Sequence, residues 1–189
     1  MRWGAEHVGR ITSYIAHKIY RRRSSTKPDR LVSTIMGQFG DTTKLSDSDP
    51  RAHGHCFEAS AREAYIAFKS ESGCDTTVTE HGLFVHADLP YLAASTDGIV
   101  HSATEGKGVL EIKCPVSTLS IADLCEEHKD FFLRKERGEL CLKTTHMYYT
   151  QVHMEMAVTG CSSADFVVFT TSEGQHDLFV QRVKFDADF

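Results

Sequence analysis

The chain has 189 residues, 41% of them apolar and 25% charged, and a formal net charge of −5. That is enough chain for one domain with a sizeable core. The acidic balance argues against a passive nucleic-acid binder, which would be basic, but not against an enzyme whose acids hold divalent cations, because bound cations reverse the local field. No apolar run approaches a membrane span and no signal-peptide core follows Met1, so an intracellular protein is expected. Six cysteines (Cys56, Cys74, Cys114, Cys125, Cys141, Cys161) are scattered with no C-x-x-C pair, and read as reduced thiols rather than a zinc ribbon.

Residues 1–23 read as a turn and then a helix. Ile11, Ile15 and Ile19 recur at spacing four, a stripe that Thr12 or Ser13 can cap. The run Arg21-Arg22-Arg23 reads as a solvated helix end, with phosphate contact as the alternative. Residues 37–53 are polar and rich in Gly and Asp, a predicted loop. A helix is predicted over 54–69, with Phe57, Ala61, Ala64 and Phe68 on the buried stripe and Glu58, Arg62 and Tyr65 on a neighbouring one. Strands are predicted over 76–80, 83–87, 98–101 and 109–113. Residues 117–137 look helical, with Lys129, Arg134, Lys135 and Arg137 on a solvated face or along a DNA track. A further helix runs from Thr144 to Thr159 and stops at Gly160. DFVVFTT and DLFVQRVKF are predicted as a hairpin joined through SEGQ. This order predicts an α/β fold with a central sheet flanked by helices.

The segment VLEIKCP, residues 109–115, carries the chemistry. Alternation along a strand puts Leu110 and Ile112 on one face, Glu111 and Lys113 on the other. Taken alone, this is an edge strand with a weak surface ion pair. Upstream, Asp97-Gly98 is a turn signal, and Asp97 precedes Glu111 by 14 residues, which suits two strands of one hairpin. Converging carboxylates repel unless a proton or cation lies between them. Asp97, Glu111 and the carbonyl of Ile112 offer the hard oxygens a divalent cation takes. Lys113 can then orient a water or help deprotonate it. His53, His55 and Cys56 have no distant matching pair and read as surface residues rather than zinc ligands.

Four blocks then stand in a recognisable order. Gly54 to Glu58, continuing to Ala61-Arg62, is similar to a helix pattern G-x-x-x-E-x-x-A-R. Ala94 to Gly98 is similar to A-S-P-D-G, Leu110 to Pro115 to L-E-x-K-C-P, and Tyr148, Gln151 and His153 to Y-x-x-Q-x-Q. Over residues 54–168 the sequence resembles the lambda-exonuclease/YqaJ family of viral-type recombinase nucleases, within the PD-(D/E)xK superfamily. The resemblance implies that superfamily's fold, a central mixed β-sheet flanked by helices, in a single nuclease domain over 1–189. An N-terminal helix and loop would occupy 1–53 and the catalytic core 54–189.

It also implies roles. Asp97, Glu111 and the Ile112 carbonyl would hold Mg²⁺ or Mn²⁺, with Glu58 reaching a second ion. Lys113 would be the catalytic lysine, and Gln151 would position the nucleophilic water or the scissile phosphate. Ser95, Arg62, Arg10, Ser13, Tyr148 and His153 would meet DNA or its phosphates, with Tyr148 read equally as a core residue. Thr96 replaces the family's proline, His153 its second glutamine, and His7 and Tyr14 stand where it has a phosphate-binding Arg and Ser; Arg10 and Ser13 are the nearest substitutes. The implied activity is exonucleolytic hydrolysis of linear double-stranded DNA in recombination or repair, beside a single-strand annealing protein and in a trimer. An endonuclease on the same fold and a DNA-binding module without catalysis are the alternatives.

Overall fold

Leu110 and Ile112 face a core, but so do Glu111 and Lys113. In a computed structural model that describes residues 6–37, 50–172 and 175–189, their strand lies in the middle of a sheet rather than at its edge. The elements, in order, are β1 (Ile11–Thr12), α1 (Ser13–Tyr20), α2 (Asp29–Ile35), α3 (Pro50–Glu71), β2 (Thr76–Thr79), β3 (Phe84–Val85), β4 (Leu92–Ala94), β5 (Gly98–Ser102) and β6 (Gly106–Lys113). They continue through α4 (Ile121–Glu127), β7 (Leu133–Glu136), β8 (Glu139–Leu142), α5 (Met147–Thr159), β9 (Ser163–Ser172) and β10 (Gln175–Lys184).

The main sheet has five strands in the order β10-β9-β6-β5-β2. It is mixed: β6 runs parallel to β9, while β5, β2 and β10 pair antiparallel with their neighbours. Helix α3 packs on one face, over Val100, Leu110, Ile112, Val167 and Phe169. Helix α5 packs on the other, over Val109, Phe166 and Val168. Covering both faces of the sheet removes each of these side chains from water, about 1.5–3 kcal/mol apiece for the larger ones. A small sheet of order β1-β4-β3 adjoins α5, and α1 packs along α5 from outside.

Several expectations need correction. The stretch 117–137 is not one helix. Ser120 caps α4, its Oγ accepting from Asp123 N at 3.1 Å, and the helix ends at Glu127. Residues 133–142 then form the β7–β8 hairpin, turning on Arg137 and Gly138, both with positive φ (53° and 91°). Two such residues are what a tight two-residue hairpin turn demands. The charged side chains mimicked a helix surface, but Leu133 and Leu142 are register partners and both buried.

On α3 the buried stripe is Ala61, Tyr65 and Lys69, at spacing four, while Phe68 is 43% exposed. Tyr65 and Lys69 go inside because each has a polar partner there, and a satisfied polar group costs little to bury. Helix α3 also starts earlier than expected, at Pro50, a residue whose fixed φ suits a first helical turn; residues 38–49 of the predicted loop lie outside the described residues. The N-terminal helix starts only at Ser13, because Ile11 and Thr12 pair in parallel with β4. The helical C-terminus predicted at Gly160 is present, with Gly160 left-handed at φ 68°.

Candidate active site

The site gathers at the carboxyl end of β6. Gly98 pairs with Leu110, so the β5–β6 hairpin brings Asp97 beside Glu111. On the β2 side, a Cβ on Gly98 would lie 2.4 Å from Val78 Cγ1, so any larger residue would force Val78 to shift. Asp97 is locked to the strand twice: its N–H donates to Leu110 O at 3.1 Å, and its Oδ2 accepts from Ile112 N at 2.7 Å. Glu58 reaches in from α3, and Arg62, one turn on, ties the pair together. Its Nη2 donates to Glu58 Oε1 at 2.8 Å and to Asp97 O at 3.2 Å, while Nη1 pairs with Glu80.

Glu111 is 2% exposed. Its Oε1 accepts from Lys113 Nζ and from Gln151 Nε2, the latter at 2.6 Å. Lys113 Nζ also lies 4.5 Å from the ring centroid of Tyr148, a cation–π contact. Tyr148 in turn packs edge-on against Phe132 at 5.0 Å, so the lysine rests on a wall of the core.

Burial and mutual repulsion set the electrostatics. Burial, and then the Asp97 charge, push Glu111 up to about 7. Burial raises Asp97 against the opposing pull of Lys113 and the Ile112 N–H. Burial and Asp97 likewise raise Glu58. Lys113 is the reverse case. Burial disfavours its charge, but the Glu111 and Asp97 carboxylates outweigh that and hold it above the ordinary lysine range. The ammonium is therefore fixed as a cation. Burial, with the Asp97 and Glu58 charges, pushes the Cys114 thiol up to about 12, so it stays neutral and is no nucleophile near neutral pH.

The site also contains a residue that the sequence analysis missed. Glu155, one helical turn after Gln151 on α5, is wholly buried, and its Oε1 accepts from Gln151 Nε2 at 3.0 Å. Burial, and then the Glu111 charge, raise its pKa well above the usual carboxyl value. The i, i+4 spacing from Gln151 was a signal that both share one helix face. It was masked because α5 is buried on nearly all sides, so the apolar period that marks an inner face is absent.

A family model for the YqaJ-like viral recombinase domain matches residues 2–162. The chain belongs to that family. The match includes the N-terminal segment, where the motif resemblance was poor. Among solved structures, an alkaline exonuclease from Laribacter hongkongensis, LHK-Exo, is 25% identical with a TM-score of 0.66, covering 98% of this chain and 82% of its own. A second structure of LHK-Exo, in complex with dAMP, gives 26% identity and a TM-score of 0.65. A phage-related exonuclease from Haemophilus somnus 129PT shares the fold at 9% identity and a TM-score of 0.61, covering 100% of this chain and 89% of its own. No curated protein matches. The fold of this YqaJ-like domain is thus that of alkaline exonucleases.

The remaining candidates scatter. Ser95, just before the Asp97 turn, has a buried Oγ with no partner among the described residues. Arg10 is a brace, with Nη1 on Glu6 O at 2.6 Å and Nε on Pro90 O at 3.2 Å. Ser13 is buried in the first turn of α1. His153 is buried away from Glu111 in an aromatic box, its ring centroid 4.3 Å from Tyr149 and 4.8 Å from Phe189. Its Nδ1 must donate to Tyr149 O, 3.0 Å away, because a carbonyl only accepts.

Among the described residues no three His, Cys, Asp or Glu side chains form a ready-made metal-binding group. Lys113 and Gln151 are bonded to Glu111, and Arg62 to Glu58. The donor chemistry nevertheless fits a hard divalent cation, since Asp97 and Glu111 offer carboxylate oxygens whose charges repel one another.

Proposed function

We propose that this YqaJ-like domain is a divalent-cation-dependent deoxyribonuclease that hydrolyses phosphodiester bonds of linear double-stranded DNA from an end. The observation that carries the proposal is the meeting of Asp97, Glu111, Lys113 and Gln151 at one strand end, with the acids in excess of the cations. A DNA-binding module without catalysis has no use for buried acids aimed at a polyanion.

Asp97, Glu111 and the Ile112 carbonyl would hold Mg²⁺ or Mn²⁺, with Glu58 near enough to Asp97 to serve a second ion. When bound, the cation lowers the pKa of a water and offsets charge on the phosphoryl oxygens. The protein's own residues supply the rest. Lys113 would stabilise charge on the phosphate and orient the water. Gln151 fixes Glu111. Ser95, whose hydroxyl has no partner among the described residues, would hold a phosphate beside Asp97. Tyr148 positions Lys113 from the core side.

The charge distribution supports a duplex track. Lys18, Arg21, Arg22, Arg23, Lys27 and Arg30 are exposed along and beyond α1, with Asp29 the one acid among residues 17–30. Helix α1 is docked on the Gln151 helix through His17 Nδ1 and Thr150 Oγ1, 2.8 Å apart. The dAMP held by LHK-Exo supports mononucleotides as the released product. A trimeric assembly and a single-strand annealing partner belong to the same reading.

Incubating 5′-labelled linear duplex, nicked circles and closed circles with Mg²⁺, Mn²⁺ or EDTA tests the proposal. Mononucleotides from linear duplex only, and only with cation, are expected. Cleavage of closed circles would make it an endonuclease, and inertness with every cation would make it a binding module.

A further inference from the structure

Glu155 is a fully buried carboxyl (0% exposed) whose Oε2 has no partner among the described residues. It lies on the sheet-facing side of α5, hydrogen-bonded to Gln151 and close enough to Glu111 for the two carboxyls to interact directly. The Gln151 amide nitrogen sits between two carboxyl oxygens, Glu111 Oε1 at 2.6 Å and Glu155 Oε1 at 3.0 Å. An amide nitrogen has two hydrogens, and here each has an acceptor. The reverse orientation would set the amide oxygen against Glu111 Oε1, the acceptor of the Lys113 ammonium. Two acceptors therefore fix the amide's sense, where Glu111 alone would fix one hydrogen.

Glu155 is held too. It is one helical turn from Gln151 on the same rigid helix, and Thr159 Oγ1 donates to its backbone carbonyl at 2.7 Å. Glu111 must also share its Oε1 with Lys113. Without a second anchor, Gln151 could follow Glu111 as that side chain shifts to take up a cation.

We propose that Glu155 is a positioning residue for the reaction. It anchors the Gln151 amide from behind and so holds Glu111 in the orientation that serves the reacting phosphate. This rests on the nuclease reading above. Hydrogen-bond partners behind ligating groups are typically worth about 10- to 100-fold in metal affinity or activity.

The test compares Glu155→Leu, which removes the acceptor but keeps the volume, with Glu155→Gln, which keeps a carbonyl to accept from Gln151. Circular dichroism and thermal melts first establish that both fold. The expected result for Glu155→Leu is a fall in kcat of about 10- to 100-fold on linear duplex, with KM for DNA unchanged. Its Mn²⁺ affinity, measured by calorimetry on DNA-free protein, should weaken by about tenfold or more. Glu155→Gln should remain close to wild type in both readouts. In a Gln151→Ala background, the loss from Glu155→Leu should shrink several-fold, because the hydrogen-bonded link is gone and only the direct effect on Glu111 remains.

A folded Glu155→Leu variant with wild-type kcat and Mn²⁺ affinity overturns the inference and leaves the nuclease reading intact. So does an undiminished loss in the Gln151→Ala background, which would mark Glu155 as merely structural. A wild-type protein inert with every cation overturns the nuclease reading, and this inference with it.

Discussion

Two carboxylates one step apart in register, on opposite faces of the same sheet, have opposite surroundings. Asp165 on β9 pairs with Leu110, and Glu111 on β6 pairs with Phe166. Both are almost wholly buried, at 1% and 2% exposure. Asp165 receives a two-pronged Arg182, with Nε at 2.8 Å and Nη2 at 3.0 Å, and the Tyr65 hydroxyl at 2.5 Å. Lys69 and Arg182 also pair with Glu105, so two cations meet two acids. Around Glu111 stand Asp97 and Glu58, against Lys113 and Arg62. The first cluster is neutralised from within and has nothing left to bind. The second has an acid excess that a cation and a phosphate could complete.

The largest effect should break the Glu111 side alone. Asp97→Asn or Glu111→Gln should cut turnover on linear duplex by about a thousandfold, about 4 kcal/mol of barrier, because the charge offered to the cation is lost. Melting temperature should stay near or above wild type, since the change relieves repulsion. Parallel nuclease assays and melts would check both halves.

The mirror experiment is Asp165→Ala. It leaves Arg182 with Glu105 as its remaining partner and Tyr65 without its acceptor. Urea unfolding should show a loss of about 3–5 kcal/mol, with kcat per folded molecule unchanged. A loss of turnover without a loss of stability would erase the distinction between the clusters.

pH should separate them as well. Glu111 is raised in the folded protein to about 7 from 4.5, so between those values the native state holds a proton that the unfolded chain has released. Stability without added cation should therefore fall as pH rises through this window, by up to about 1.4 kcal/mol per unit for this one group. Glu111→Gln should flatten that slope, and denaturant melts at a series of pH values would reveal it.

The smallest effect belongs to the exposed arm. Replacing Arg21, Arg22 and Arg23 by alanine should reduce the salt dependence of duplex binding by an exponent of up to about 2.7, with kcat unchanged at saturating DNA. Arg22 should contribute least, because its Nη1 is already spent on Thr26 O at 2.6 Å. Fluorescence anisotropy at several salt concentrations would measure it.

Much of this was written in short-range pattern. Alternation put Glu111 and Lys113 on one face, Asp97-Gly98 marked the turn, and the spacing between Asp97 and Glu111 announced a hairpin. The β9–β10 strands and the end of α5 were readable for the same reason, since a period of two and a left-handed glycine are local properties. The hairpin at 133–142 was not, because its alternation is carried by charged residues that are also good helix formers.

What only the tertiary structure decided is which polar residues go inside. Tyr65 and Lys69 on α3, and Gln151 and Glu155 on α5, look like surface by composition. They are buried because their partners arrive from strands far away in sequence: Asp165 for Tyr65, Glu105 for Lys69, Glu111 for Gln151. A side chain's own chemistry sets what it needs, but whether the need is met depends on the packing of the sheet. That packing makes one buried acid a brace and its neighbour a candidate catalyst.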